Sequence, residues 1–252
     1  MNNSSDKLFY AKLEDMTDRC DKNSMIVFSK FLDERQCILA QQWCSRNTGS
    51  LNFQLWGGFP QARRKILAVY PDYCESFVKD EFPVKCLTFN YRQQDKLTHR
   101  DFLGTFMGMN FKRELIGDIV TDEGIAQVFV NDVASSLISA QVRKIGKTGV
   151  KISDSQPFSL EIKQEYKEIS ATAASMRLDC IVSIAAGVSR EKAAALIRAE
   201  KTDVNHFTVT SLSHELHKED IISIRGCGRF ILADIGAVTA KNRIHILLKK
   251  FI

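Results

Sequence analysis

Two hundred and fifty-two residues, 44% hydrophobic and 26% charged, are enough for two or three packed domains and exclude a disordered chain. Thirteen Gly and four Pro exclude collagen-like and low-complexity structure, and no window reaches the roughly 18 uninterrupted apolar residues of a membrane span, so no membrane partner is expected. Thirty-five Lys and Arg against thirty Asp and Glu leave +5, a hint of an anionic partner.

Met1 to Leu8 carry no basic flank followed by an apolar core, so no secretory signal is read and a cytoplasmic location is expected. Cys20, Cys37, Cys44, Cys74, Cys86, Cys180 and Cys227 show no C-x-x-C pair or other zinc spacing. They are expected to be buried small hydrophobes, with neither a metal nor a cofactor.

From Asp6 to Asn47 the apolar residues recur at helical spacing, as in Phe28, Phe31, Leu32 and then Ile38, Leu39, Trp43, which predicts amphipathic helices. Leu51 to Leu55 alternates like a strand, and Trp56-Gly57-Gly58-Phe59-Pro60 reads as a turn. Residues 1–72 are therefore expected as a mainly helical N-terminal domain.

Beyond Pro83 the period changes. Val84 to Tyr91 reads as strand, Thr98 to Met109 as helix, Ile119 to Val120 and Ile125 to Val130 as strands, Asp132 to Lys144 as helix and Gly149 to Ile152 as a last strand. That order predicts a ferredoxin-like or RNA-recognition-type (RRM-like) split βαβ domain over 73–170. Gly104 and Gly108, four apart on the first helix, are expected to let it approach the sheet closely. Gly124 to Val130 offers one Phe, too few aromatics for base stacking, so this unit reads as a spacer whose Lys112 and Arg113 could touch a partner.

In residues 171–252, Leu178 to Ala186 reads as a helix stopped by Gly187, and Ser189 caps a second helix running to Ala199. Val204 to Val209 and Ile221 to Arg225 read as strands. The segment from Ile162 to Ala174 reads as a sheet edge running into a linker helix. The last 32 residues are the most lopsided, with Arg225, Arg229, Lys241, Arg243, Lys249 and Lys250 facing only Asp234.

The second helix opens Ser189-Arg190-Glu191-Lys192, with Lys where a capping box would place Glu. Cations there cost about 0.3–1 kcal/mol each unless an anion answers them, and free N–H groups at a helix start already attract anions. Arg177 and Arg198 extend the same basic surface. In Arg225-Gly226-Cys227-Gly228-Arg229, two glycines between two arginines suit a backbone that approaches phosphates closely.

These residues resemble a known module. Arg177-Leu178-Asp179, Gly187-Val188-Ser189-Arg190, Ala193-Ala194, Leu196-Ile197, Val204-Asn205 and Asp220 through Gly226 are similar to the S-four domain, or alpha-L motif. Upstream, Gly57-Gly58-Phe59-Pro60-Gln61-Ala62-Arg63-Arg64-Lys65 and His99 through Gly104 to Lys112-Arg113-Glu114-Leu115-Ile116-Gly117-Asp118 resemble the YlmH family. The resemblance implies an α+β chain with a C-terminal alpha-L domain, binding structured RNA without enzymatic activity. The implied partners are rRNA or tRNA on the large ribosomal subunit, in stalled-ribosome or peptidyl-tRNA handling, and no DNA partner is expected. RNA contact is expected at Arg177, Ser189, Arg190, Lys192, Arg198, Lys201, Asn205, Arg225, Gly226 and Arg229. In one loop the sequence departs from the pattern: Glu200 replaces a glycine and Asp203 stands where a basic residue is common.

Other motifs lead nowhere. Arg177-Leu178-Asp179 also resembles the catalytic triplet of pseudouridine synthases, but the Thr and Gly that follow it in those enzymes are absent. His99-Arg100-Asp101 resembles a kinase catalytic loop, yet Phe106 occupies the place of its Asn. His206, His214 and His217 lack H-E-x-x-H spacing, and no G-x-G-x-x-G follows a strand. The alternative of an RNA-modifying enzyme with an S-four-type targeting domain would make Asp101 and Asp118 the first carboxylates to test. In a third reading, an adaptor, Trp43, Phe53 and Trp56 would anchor a protein, although core packing is their commoner use.

Overall fold

The computed structural model describes residues 4–74, 81–154, 157–162 and 164–252. They form two compact units, residues 1–162 and 163–252. Among the described residues there are six helices and fifteen strands, all strand pairs being antiparallel.

The first unit opens with helix α1 (Ser4–Asn23), strand β1 (Val27–Leu32), helix α2 (Glu34–Asn47) and strands β2 (Asn52–Trp56) and β3 (Lys65–Tyr70), with sheet order β1-β3-β2. Strand β1 lies in a stretch expected to be helical. Its register with β3 slips between Phe28 and Phe31, and the bulge spaces three apolar residues as a helix would. Ser24, at φ 51, ends α1 just before it. Asp33 and Gln36 form a capping box at the start of α2. Arg35 holds α1 to α2 through a two-pronged pair with Asp6, at 2.8 and 2.7 Å. Trp43 and Phe53 pack on the core of this region and Trp56 on the next, which is core packing and not a protein anchor.

Strand β4 (Val84–Asn90), helix α3 (His99–Gly108), strands β5 (Ile116–Asp122) and β6 (Ile125–Asn131), helix α4 (Asp132–Gln141), a small β7–β8 hairpin (Lys144–Ile145, Thr148–Gly149) and strand β9 (Lys151–Ser153) follow. The sheet order is β5-β6-β4-β9. Leu87, Phe89, Val128 and Val130 form one core with Phe102 and Phe106 of α3 and Ala134 and Ile138 of α4. The opposite face carries Phe129, which packs with Phe31, Phe59, Ile66 and Ala68. The sheet face that could have stacked bases is thus filled by the first sheet, and the expected boundary near residue 72 falls inside a shared core. Gly104 and Gly108 face open space, contrary to the close approach expected of them.

The second unit holds strand β10 (Tyr166–Ala173), helices α5 (Leu178–Ala186) and α6 (Arg190–Arg198), and strands β11 (Thr202–Val204), β12 (Phe207–Thr208), β13 (Ile221–Ile224), β14 (Gly228–Val238) and β15 (Ile244–Phe251). The sheet order is β10-β15-β14-β13-β11-β12. Ile181, Val182, Ala193 and Ile197 of the helices meet Ile222, Phe230, Leu232 and Leu248 of the sheet in one core. Strand β10 pairs along its length with β15, so the second unit begins before residue 171, where a boundary was expected.

Of the seven free thiols, Cys20, Cys37, Cys44, Cys74 and Cys180 are buried. Burial pushes Cys37, Cys44 and Cys86 up to about 11. Among the described residues no cluster of three His, Cys, Asp or Glu could hold a metal, and no helix is long and apolar enough to cross a membrane.

Candidate nucleic-acid interface

The starts of α5 and α6 meet at one carboxylate. Arg177 is the N-cap of α5 and Asp179 sits in its first turn, an acid where the helix dipole favours one. Asp179 is 6% exposed. Its Oδ1 accepts from Arg177 Nε at 3.1 Å and from the Cys180 N–H at 3.0 Å, and its Oδ2 accepts from Arg190 Nε at 3.1 Å. Burial pushes this carboxyl up, but the hydrogen bonds from Arg177 and Arg190 outweigh burial and hold it below the ordinary range. The two arginine side chains remain 43% and 55% exposed. One carboxylate serves two guanidiniums, leaving a net positive charge and fixing both by their Nε atoms.

Ser189 caps α6 as expected, its hydroxyl accepting from the Lys192 N–H at 3.3 Å, while the Lys192 side chain is exposed. The far end of α6 is a second basic group. The Arg225 N–H donates to the Lys201 carbonyl at 2.9 Å, which sets these residues side by side just past Arg198. The Cys227 N–H returns to the Ile224 carbonyl at 3.0 Å, and Gly226, at φ +86, takes the left-handed position that a type II turn reserves for glycine. The expected patch is therefore two groups, about 12 Å apart along α6 at 1.5 Å per residue. Among the described residues, Lys192, Arg198, Lys201 and Arg225 have no ion pair.

Two expected contacts are engaged elsewhere. Arg229 lies 5.1 Å over the Phe251 ring and 3.3 Å from the His206 ring nitrogen. Asn205 and His206 both have positive φ, 48 and 70, and close a two-residue hairpin between β11 and β12, where a single strand was expected. The Asn205 amide donates to Asp220 at 2.8 Å and its oxygen accepts from the Ile221 N–H at 2.9 Å. Glu200 keeps the turn that a glycine would make, at φ 55, with the N–H groups of Glu200 and Lys201 returning to Ile197 and Leu196 as a Schellman closure. Asp203 accepts from the Thr208 hydroxyl at 2.8 Å.

The basic C-terminal stretch is also less one-sided than its composition. Lys249 pairs with Glu168 at 3.6 Å, and Asp234 pairs with Lys218 at 2.9 Å. The two carboxylates singled out for enzymatic chemistry serve the backbone. Asp101 accepts from the Thr98 N–H and hydroxyl at 2.8 and 2.7 Å, and Asp118 from the N–H groups of Arg63 and Arg64 at 2.6 and 3.3 Å. The role of Asp179 as a shared clamp was missed. Its signal was a lone acid inside the apolar run Leu178-Asp179-Cys180-Ile181-Val182, because a charge buried in such a run must find partners.

A family model described as "Putative RNA-binding domain in YlmH" matches residues 78–158. The chain is 30% identical over 224 residues to "Ribosome-associated protein quality control protein P2" of Bacillus subtilis (strain 168), covering 87% of this chain and 85% of that protein. Among solved structures, "Cell division protein ylmH from Streptococcus pneumoniae" superposes with a TM-score of 0.51 at 25% identity, covering 60% of this chain and 92% of that one. With that identity across most of both chains, the protein belongs to the YlmH family.

Proposed function

We propose that the protein is a cytoplasmic, non-enzymatic RNA-binding factor that associates with the ribosome. Its C-terminal unit, read as an alpha-L domain, docks on structured rRNA or tRNA of the large subunit, in the handling of stalled ribosomes or peptidyl-tRNA. The central β4–β9 region, read as a ferredoxin-like fold, contributes a second RNA contact in place of the spacer role its composition suggested. The observation that carries this reading is the two groups of cations at the ends of α6: Arg177 and Arg190 fixed on Asp179 at one end, and Arg198, Lys201 and Arg225, without ion pairs among the described residues, at the other. Fixed guanidiniums at separate points suit the phosphates and sugar hydroxyls of an A-form helix, whose base edges are hidden. The names of the family model and of the Bacillus subtilis relative agree with it.

Crosslinking in cells followed by sequencing of the attached RNA tests the target. Large-subunit rRNA or tRNA is expected to dominate; enrichment of neither would overturn the ribosomal assignment. Mass spectrometry of nucleosides after incubation with total RNA is expected to show none altered.

A further inference from the structure

In the first unit, two guanidiniums are crowded together without a carboxylate between them. Arg64 precedes β3, and Arg113 opens the single turn Arg113–Leu115 before β5. Both donate to the carbonyl oxygen of Ile116, Arg64 through Nε at 2.9 Å and Arg113 through Nη1 at 2.6 Å. Arg64 Nη2 also reaches the carbonyls of Phe31 and Arg113, each at 3.3 Å, and Arg113 Nη1 reaches that of Gly117 at 3.2 Å. Every acceptor is a backbone carbonyl, and among the described residues neither arginine has an ion pair. The nearby Asp118 has both oxygens on backbone N–H groups.

Such an arrangement costs free energy. Burial, with the like charge of Arg64 behind it, lowers Arg113 to about 10, and burial lowers Arg64 as well. Among the described residues Arg64 Nη1 and Arg113 Nε and Nη2 have no acceptor, and both side chains are half-buried, not sealed in the interior. Both residues line an open groove of about 560 Å³ together with Phe31, Met107, Phe111 and the exposed Lys112. The groove's two acids are engaged elsewhere: Glu114 with Lys30, and Asp33 with the start of α2.

We propose that this groove binds a backbone phosphate of an RNA strand, forked by Arg64 and Arg113 with Lys112 at its mouth. Asp118 beside both arginines and Asp33 beside Arg64 offset only part of the cost of burying two cations, an anion there would offset more, and paired planar guanidiniums match phosphate geometry. The groove's open side suits a strand passing through. The site rests on the RNA-binding reading but lies outside the C-terminal unit.

The full chain is crosslinked by ultraviolet light to a short oligouridylate carrying 4-thiouridine, and adducts are located by peptide mass spectrometry. The wild type is expected to yield adducts within 107–113. Lys112→Glu, an exposed position that folding tolerates, should reduce them about fivefold. Lys201→Glu with Arg225→Glu should leave them in place at saturating RNA. Adducts confined to the C-terminal unit would overturn the groove, and with it the second RNA contact, while leaving docking by the C-terminal unit standing; no RNA binding by the wild type would overturn both. Inorganic phosphate and AMP form the competing arm. Suppression of adduct formation by either, present at low millimolar concentration during irradiation, would mark a free-anion site and overturn the RNA assignment, and undiminished adduct formation supports it.

Discussion

Arg177 and Arg190 hold opposite oxygens of the Asp179 carboxylate, each through Nε at 3.1 Å, from the first turns of two consecutive helices. The pairing leaves the outer edges of both guanidiniums exposed, and it makes Arg190→Glu a poor probe of RNA contact, because the new carboxylate would face Asp179. A cleaner probe removes the shared anchor itself.

Asp179→Asn is expected to destabilise the C-terminal unit by about 2 kcal/mol, the scale of hydrogen bonds to a buried charge discounted for the half-exposed arginines. Urea unfolding of the full chain reads this directly, and a loss under about 0.5 kcal/mol would mean that the clamp is dispensable.

The same carboxylate sets an acid limit. Its native pKa lies below the ordinary value, so its stabilisation is fully present above a pH of about 3.9 and is lost as the pH falls through the lowered native value. The stability gap between wild type and Asp179→Asn should stay constant from neutrality down to that range and then shrink. A gap that widens on acidification would reverse the assigned sign.

Glu200 occupies a left-handed position that the resemblance gives to glycine, and it adds a negative charge next to Lys201. Glu200→Gly should therefore do two things at once: stabilise the unit by about 0.5–1 kcal/mol and tighten RNA binding. Thermal unfolding and a binding titration on the same variant would separate them, and weaker binding would argue that RNA does not lie at this end of α6.

Asn205 and Arg225 should part company. Asn205→Ala loses the two hydrogen bonds that tie the β11–β12 turn to Asp220 and Ile221 at the start of β13, and should cost about 1–2 kcal/mol of stability, with the salt dependence of RNA binding unchanged. Arg225→Ala should leave stability within about 0.5 kcal/mol and lower the magnitude of the salt slope by about one. The reverse pattern would return Asn205 to the interface.

Helices α5 and α6 were legible because their signals are local: Gly187 at a left-handed stop, Ser189 as cap, apolar residues at helical spacing. Strand β1 was not, because its bulge gave Phe28, Phe31 and Leu32 the spacing of a helix. The basic residues of the candidate interface could be listed from the sequence, whereas their spatial division into two groups could not. Arg229 stacks on Phe251 and Lys249 pairs with Glu168 only through strand registers set far away in sequence. The shared core of Phe31 and Phe129 was hidden for the same reason, since each lies in a strand that reads sensibly by itself.

The most direct measurement is the salt dependence of full-chain binding to large-subunit rRNA, wild type against Lys201→Glu with Arg225→Glu, two positions whose side chains have no ion pair among the described residues. Lys192, Arg198, Lys201 and Arg225, with the one charge left over from the Asp179 cluster, correspond to about five neutralised phosphates and a log–log slope of roughly −4. The double variant should lose most of its affinity and a large part of that slope while unfolding at the wild-type temperature. A wild-type slope near zero, or undiminished binding by the folded variant, would contradict docking through this face.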